Sequence, residues 1–312
     1  METETPRTSQ GSGEATSRYA NILLDTAFKR AFGTEMNKRL MILFLQEIIP
    51  EAHVKDISYS NKEHQNPFPD RHGAVIDVEA VSDDGSRFVV EVQLARQGFF
   101  MERALFYSSF AIQEQLMAGA DSFHFMPVYF ISLMDFSLHS GDDAFSYHYS
   151  LTESRTGEPM TDNIQFTFLE LPKVKAISDD SSNLEKLCYA LHNMKVLKSR
   201  PPEMTAEIFT LLFDSAEISK FTPEEKVRYD NDMTTERDIR NYMAYSREEG
   251  HKEGLKEGLE KGRVMAEEEK HRIAKSLLES GVKPEIVIAS TGLSAEEIDA
   301  CIAAAAATDS SK

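Results

Sequence analysis

Two carboxylates stand at matching positions of two apolar segments that a short polar turn joins. Asp77 belongs to the first segment and Glu91 to the second, with Ser82-Asp-Asp-Gly-Ser86 between them. This turn is typical of a three-residue hairpin loop in which Gly85 takes the left-handed conformation. If Ser82 pairs with Ser86, Asp77 faces Glu91 across the two strands. Two carboxylates in this arrangement could hold a divalent cation.

The same register separates polar from apolar side chains. It adds the pairs Val81–Arg87, Glu79–Val89 and Val75–Gln93 on the face of the two carboxylates. The other face is wholly apolar and consists of Ile76, Val78, Ala80, Phe88, Val90 and Val92. A two-residue loop would place Asp77 opposite Val92 and mix the two faces. The three-residue loop is therefore favoured.

A hairpin with a solvated outer face is the alternative to a metal site, because exposed strands often carry carboxylates. Like charges directly opposite each other repel, and no basic residue shares the row of Asp77 and Glu91, whereas Arg87 can neutralise Glu79. A cation such as Mg²⁺, which is often held by one or two carboxylates, would turn this repulsion into coordination. The spacing therefore favours a metal site.

The segments around the hairpin resemble a known family. Phe88-Val-Val-Glu-Val-Gln-Leu-Ala-Arg96, which continues into Gly98-Phe-Phe-Met-Glu-Arg-Ala-Leu-Phe-Tyr-Ser-Ser109, is similar to the PD-(D/E)XK nuclease family transposases, or Rpn-type recombination-promoting nucleases. Further similar segments are Leu24–Gly33, Leu40–Leu45, Pro127–Leu133, the Glu-Gly repeats and Thr291-Gly-Leu-Ser294. The resemblance covers most of the chain beyond the first two dozen residues.

This resemblance implies a restriction-endonuclease-like α/β fold, with a mixed sheet flanked by helices and a helical C-terminal extension. It implies a Mg²⁺-dependent DNA endonuclease linked to recombination and mobile elements, with Mn²⁺ as a substitute cation. Asp77 and Glu91 would be metal ligands, the Val92 carbonyl would complete the protein ligands, and Gln93 occupies the position of the signature lysine. Glutamine has no titratable proton and can only orient water. Gln93 is interpreted as a family variant that favours weak or conditional activity.

Three more residues are candidates for the site. Arg103 lies in an apolar helix and needs a partner, either the carboxylates or a DNA phosphate. Lys29 is a candidate substrate-binding residue, and Asp25 is a candidate auxiliary acid. A local basic groove could be formed by Lys29, Arg30, Lys38, Arg39, Arg71, Arg96 and Arg103. The alternative is ordinary surface charge, with Asp25 and Lys29 as an i,i+4 ion pair, and the sequence does not decide between them.

Composition limits the other functions. The net charge of −18 argues against nonspecific DNA binding, which rests on Lys and Arg neutralising phosphates. The best apolar run, Leu40 to Leu45, is too short for a membrane span. Two distant cysteines without zinc spacing favour a cytoplasmic protein, and the nine histidines show no metal-binding spacing. A phosphate-binding glycine loop, His-Glu-x-x-His and a nucleophile elbow are all absent from the sequence.

The pattern of apolar residues, turns and charges predicts five regions. They are a disordered leader at 1–17, a core at 18–172 that the resemblance implies to be nuclease-like, a helical extension at 173–222, a long charged helix at 223–280 and a small helical tail at 281–312. The core is expected to contain helices at 17–32 and 36–49, strands at 54–60, 74–81, 124–135, 145–151 and 164–171, and a buried crossover helix after Gly98 that ends at Gly119. The extension should contain helices at 183–198 and 203–214.

The long charged segment carries a glycine at every fourth position, and each costs a helix about 1 kcal/mol relative to alanine. These residues are Gly250, Gly254, Gly258 and Gly262. Close approach of a second copy is one explanation, which would make the protein a homo-oligomer through this helix. A partly frayed helix with i,i+4 Glu–Lys pairs is slightly favoured.

The last segment resembles a helix-turn-helix, with Ser294 as N-cap and Glu297 completing a capping box. Its second helix would present Glu296, Glu297 and Asp299 to DNA. Because this helix is acidic, we interpret the segment as a packing or protein-contact module.

Two hypotheses follow for the whole chain. The first is a metal-dependent DNA endonuclease with its site on the hairpin. The second is a catalytically weak or inactive nuclease-fold protein that binds DNA or partner proteins, favoured by Gln93 and the acidic composition.

Overall fold

The computed structural model describes residues 17–60, 76–116 and 123–309, with side chains up to Ile302. The chain forms two compact units, Met1–Thr234 and Thr235–Lys312. Residues 1–16 of the leader expected at 1–17, Arg71, Val75 and Gly119 lie outside the described residues. The helix expected to end at Gly119 already ends at Gln113. Ser17 is described, and its hydroxyl donates to the carbonyl of Lys195 at 2.7 Å.

The first unit contains a mixed six-stranded sheet. Its strands are β1 (Ile57–Tyr59), β2 (Val78–Ser82), β3 (Arg87–Gln93), β4 (Val128–Met134), β5 (Ser146–Thr152) and β6 (Pro159–Glu170). The order across the sheet is β1-β2-β3-β4-β6-β5. The β3–β4 and β4–β6 pairs are parallel, whereas the other pairs are antiparallel.

Helices cover both faces of this sheet. They are α1 (Asp25–Phe32), α2 (Lys38–Ile48), α3 (Phe100–Gln113), α4 (Asn183–Asn193), α5 (Glu207–Ala216) and the start of α6 (Pro223–Glu279). The larger core joins α1, α2, α4 and α5 to one face, whereas α3 packs on the other face around Val89, Phe130 and Phe168. The predicted α/β fold, a mixed sheet flanked by helices with a helical C-terminal region, is confirmed.

The β2–β3 hairpin has the register that its turn predicts. Val81 pairs with Arg87 and Glu79 with Val89, and the N–H of Ser82 donates to the carbonyl of Ser86 at 2.9 Å. The loop closes because Asp84 accepts hydrogen bonds from the Ser86 N–H at 2.9 Å and from both flanking serine hydroxyls. Turn chemistry therefore fixes which side chains reach each face of the sheet.

One residue of the expected apolar face is wrongly placed. Val78, Ala80, Phe88 and Val90 lie in the larger core as predicted, but Ile76 packs against the smaller core on the opposite face. Strand pairing begins only at Val78, so the alternation of strand side chains does not extend to Ile76.

The first helix begins later than expected. Predicted from residue 17, it starts at Asp25. The preceding segment pairs with residues 216–217 at Tyr19 and Ala20 and then makes a turn over residues 21–24. Tyr19, Ile22 and Leu24 are buried there. Apolar residues in this segment serve tertiary contacts rather than a helix face.

The crossover helix is buried on one side only. As predicted, α3 connects two parallel strands, but only Phe100, Ala104, Ser108 and Ala111 are buried, whereas Leu105 is 53% exposed. Their spacing of three to four residues forms one stripe against the sheet. The expectation of a helix buried on nearly all sides is therefore wrong.

Other boundaries shift by a few residues. The strand predicted at 124–135 begins at Val128, and the one predicted from residue 164 begins at Pro159. The helix predicted to residue 198 ends at Asn193 and continues as a single 3₁₀ turn. These ends depend on tertiary pairing, which the local pattern does not contain.

Gly85 provides a direct test of the hairpin loop. Its φ is +89°, and a Cβ there would stand 3.1 Å from the Met126 side chain. We expect Gly85→Ala to lower the free energy of unfolding by roughly 1–2 kcal/mol, because alanine is strained at positive φ. Chemical denaturation would measure the change.

Gly98→Ala is the matched control for Gly85→Ala. Gly98 does not have a positive φ, and no described atom lies within 4 Å of its Cβ position. An equal loss of stability in both variants would contradict the predicted loop conformation.

The second unit contains most of α6 and two short helices. These are α7 (Pro284–Thr291) and α8 (Ala295–Asp309), and their core consists of Ala274, Val287, Leu293 and Ile298. The long charged helix is continuous, and both expected ion pairs form, Glu248–Lys252 at 2.8 Å and Glu257–Lys261 at 3.5 Å. Among the described residues, no atom lies within 4 Å of the Cβ positions of the four repeated glycines. Packing within the chain therefore does not require them.

Candidate active site

The two carboxylates meet at the end of the hairpin. The N–H of Asp77 donates to Glu91 Oε1 at 3.1 Å, and the N–H of Val92 donates to Asp77 Oδ2 at 2.7 Å. Each carboxylate is thus held by the other strand's backbone, in the register that places Asp77 opposite Glu91. Glu91 is only 5% exposed. The alternative of a solvated outer face is therefore wrong.

Burial of two acids side by side changes their protonation. Burial raises the pKa of Asp77, the Val92 N–H opposes this rise, and Asp25 adds to it. Burial and, to a smaller extent, the Asp77 carboxylate together raise the pKa of Glu91 to about 8. Both acids accept a backbone N–H, and Glu91 is the one whose pKa is raised to about 8, so the proton that the pair retains near neutral pH belongs on Glu91.

The raised pKa of Glu91 predicts a stability difference that depends on pH. A carboxyl whose pKa is higher in the folded state stabilises the fold below its unfolded value, near 4.5, and loses this contribution as pH rises through about 8. Glu91→Gln cannot ionise and does not lose it. We expect the melting temperature of Glu91→Gln to exceed that of the wild type increasingly from pH 5 to 9 in chelator.

Glu102→Gln is the control for this pH series, because Glu102 is an exposed acid in the first turn of α3. It should follow the wild type across the whole pH range. A constant difference between Glu91→Gln and the wild type at every pH would contradict the raised pKa.

The backbone of Val92 is oriented toward the carboxylate pair. Gln93 accepts a hydrogen bond from Asp135 on the β4 side through its carbonyl, so the N–H and C=O of Val92 point to the β2 side. There the β2 ladder has ended, because its last described pair is Val78–Val90. The Val92 carbonyl therefore points to the same side of β3 as the N–H that donates to Asp77.

Gln93 links Glu91 to Arg103. Its amide nitrogen donates to Glu91 Oε2 at 3.4 Å, and its amide oxygen accepts a hydrogen bond from the Arg103 guanidinium. Arg103 also donates to Gln97 Oε1 at 2.5 Å. The hydrogen-bond partners of Arg103 are thus two amides, neither the carboxylate nor the phosphate that was expected, and Arg103 is linked to Glu91 through Gln93. A lysine at position 93 has no acceptor atom and would repel this arginine.

Tyr107 is a site residue that the sequence analysis missed. It lies one helical turn after Arg103 on α3, and its phenol is close to the carboxylate pair. Burial raises the pKa of Tyr107, and the charges of Glu91 and Asp77 raise it further. The i,i+4 spacing from Arg103 is a signal that could have indicated it.

A cleft opens beside Asp77. Its volume is about 500 Å³, and it lies between α1, the beginning of β2 and the first turns of α6. Asp25 and Lys29 line it and form the expected ion pair at 2.7 Å. The structure thus brings Asp25 and Lys29 to the cleft that Asp77 lines, whereas Arg103 does not line this cleft. Glu225 and Arg228 also line this cleft and were not anticipated.

Most cations of the expected basic groove are neutralised. Arg30 forms two 2.7 Å contacts with Glu225, Lys38 lies 2.8 Å from Asp56, and Arg39 lies 2.7 Å from Glu207. Arg96 is exposed. These contacts favour the alternative of ordinary surface charge for α1 and α2.

Comparison with known proteins agrees with this architecture. The sequence model of the family described as PD-(D/E)XK nuclease family transposase matches residues 22–246. This span covers more than half of the chain and includes the whole sheet and all the candidate site residues. The protein therefore belongs to the PD-(D/E)XK nuclease family transposases, and the match supports a nuclease-type function.

A second family match covers the end of the chain. The C-terminal helix-turn-helix domain of the Rpn/YhgA-like nuclease family matches residues 267–302. The resemblance of this segment to a helix-turn-helix is confirmed, and the match favours contact with DNA over the packing role that its acidic residues indicated.

No curated protein and no solved structure matches the chain. Among the described residues, no helix is both long and apolar enough to cross a membrane.

Proposed function

We propose that the protein is a metal-dependent DNA endonuclease that hydrolyses phosphodiester bonds at the Asp77–Glu91 pair. The observation that carries this proposal is the buried pair itself, in which two acids face each other and each is held by a backbone N–H of the opposite strand. Such an arrangement destabilises the metal-free fold above neutral pH. A divalent cation between the two acids would remove this cost.

The donor set fits Mg²⁺, and Mn²⁺ as its substitute. Asp77, Glu91 and the Val92 carbonyl offer only oxygen atoms, which hard cations prefer. Mg²⁺ is commonly bound through one or two carboxylates while it keeps several waters. When bound, the cation supplies Lewis-acid polarisation of the phosphate and a lowered pKa of water.

The surrounding side chains position and neutralise the substrate. Gln93 orients Arg103 beside the carboxylates, where its guanidinium is placed to stabilise charge on the phosphate. Lys29 offers a second cation at the cleft, and Asp25 holds Lys29 in place and is the candidate auxiliary acid. Gln93 carries no charge and cannot transfer a proton. The positive charge that a lysine would supply at position 93 is therefore supplied by the neighbouring Arg103 guanidinium.

The two units would divide the work. The net charge of −18 opposes binding of the protein surface in general to DNA. Specific binding through the helix-turn-helix would overcome this repulsion and bring the protein to DNA. The family description as a transposase supports a role in recombination or transposition, which remains a prediction. A cytoplasmic location and a homo-oligomer formed through α6 are further predictions, which rest on the cysteine content and on the glycine repeat.

Cleavage of supercoiled plasmid tests the proposal. We expect the wild-type protein to produce nicked or linear DNA with Mg²⁺ or Mn²⁺ and none with excess chelator. DNA without metal and protein-free reactions with each metal are the controls.

A non-cleaving nuclease-fold protein is the second candidate function. It is favoured by Gln93 in place of lysine and by the ion-paired cations of α1 and α2. If the wild type binds the plasmid in a gel-shift experiment but leaves it intact with both metals, this second function replaces the first.

A further inference from the structure

A second group of metal-binding side chains lies within the helix-turn-helix match, far along the chain from the hairpin. Glu267 and His271 are four residues apart on α6, and Glu297 and Cys301 are four residues apart on α8. Residues spaced by four share one face of a helix. Two helices therefore each offer a pair of side chains at one place.

Ligand atoms of three of these side chains are spaced closely enough to share one metal ion, and Cys301 lies beside the His271 ring without belonging to that set. Single ligand atoms of Glu267, His271 and Glu297 all lie within 4.8 Å of one another. Cys301 Sγ lies 3.7 Å from His271 Nδ1. In a tetrahedral zinc site, with Zn–N near 2.0 Å and Zn–S near 2.3 Å, these two atoms stand about 3.5 Å apart.

Existing contacts leave the group able to bind. Glu297 Oε2 accepts hydrogen bonds from the N–H and hydroxyl of Ser294, at 2.7 and 2.8 Å, so its other oxygen is available. Glu267 Oε2 is 3.4 Å from Lys270 Nζ at the surface. Cys301 is a free, half-buried thiol. The capping box thus orients Glu297 without using both of its oxygens.

The hydrophobic core of the second unit is small, so a bound metal ion could contribute to its stability. Its fully buried apolar residues are Ala274, Val287, Leu293 and Ile298, which is little area to hold a helix-turn-helix in place. Small units commonly add a structural metal to such a core. A cation bridging the two helices would fix α8 against the end of α6.

We propose that Glu267, His271, Glu297 and Cys301 bind one Zn²⁺ as a structural site that fastens α8 to α6. The mixed nitrogen, sulfur and oxygen donors suit borderline-soft zinc, whereas Mg²⁺ selects oxygen alone. A shift of the Cys301 thiolate from the His271 ring onto the ion would give four protein ligands, and a closed set of four is typical of structural rather than catalytic zinc. This site would be chemically independent of the cation at the hairpin.

Metal titration of the full-length chain tests the proposal. The background is the Asp77→Asn/Glu91→Gln double variant, in which the hairpin carboxylates are removed. With Zn²⁺ alone and a competing indicator, we expect one bound equivalent, and at least about a hundredfold weaker binding in His271→Ala and Cys301→Ser. Glu268→Gln, an exposed neighbour on α6, should bind as the background does.

Co²⁺ substitution adds a readout that misfolding cannot imitate. Bound Co²⁺ should show a thiolate charge-transfer band that disappears in Cys301→His, while this variant still binds one Zn²⁺ equivalent. The proposal is overturned if the background binds no zinc with Cys301 reduced. It is equally overturned if His271→Ala and Cys301→Ser, with unchanged helical circular dichroism, bind zinc as tightly as the background.

Discussion

Asp77→Asn and Glu91→Gln should each reduce plasmid cleavage by at least about a thousandfold. Both changes keep the size of the side chain and remove one charged ligand oxygen. The bound cation would then stabilise the transition state less by several kcal/mol, and this loss lowers the rate of cleavage. The amide side chains can still accept the backbone hydrogen bonds of the hairpin. Initial rates of nicking with saturating Mg²⁺ would measure the effect.

Stability measurements distinguish this loss from unfolding. Because burial raises the pKa of both acids, the two variants should be at least as stable as the wild type in chelator above neutral pH. Asp83→Asn removes an exposed carboxylate from the same hairpin and should cleave as the wild type does. Full activity in both site variants would place the active site elsewhere.

Arg103→Gln should lower cleavage by about a hundredfold. The arginine is the cation nearest to Gln93, and removal of one preorganised donor to developing charge typically has an effect of this size. Gln93→Lys alone should also lower cleavage, because the new ammonium faces the Arg103 guanidinium. Single-turnover rates at fixed metal concentration would measure both.

The double variant Gln93→Lys/Arg103→Gln makes this test specific. It moves the positive charge from the helix to the strand position that a lysine occupies in the signature motif, and it restores a partner for each side chain. We expect it to cleave faster than either single variant. A rate equal to the product of the two single losses would show that the residues act independently.

The hairpin could be predicted because its information is local. The turn around Gly85 sets the register, and the register alone decides that Asp77 and Glu91 meet. The link from Gln93 to Arg103 was only partly foreseen. An arginine in an apolar helix must find a partner, but which partner it finds depends on how α3 docks on the sheet.

Features that depend on distant contacts were missed for a physical reason. The segment before Asp25 has helix-like apolar spacing, yet its residues are buried against the chain near residue 216. His271 and Cys301 show no metal spacing along the sequence, because their approach depends on the packing of α8 on α6. The sequence shows the i,i+4 pair on α6 and the i,i+4 pair on α8 separately. Only the packing of the two helices brings these pairs together.

The short separation of Asp77 and Glu91 also bears on how the molecule folds. Only 14 positions separate them, whereas the contact between Asn21 and Tyr229 spans 208. Hairpins form within about 1–10 μs, before such distant segments meet. The two acids are therefore brought together while water still surrounds them, and their repulsion is felt when α3 and the core exclude that water. Divalent cations should then accelerate the late docking step of refolding and leave hairpin formation almost unchanged.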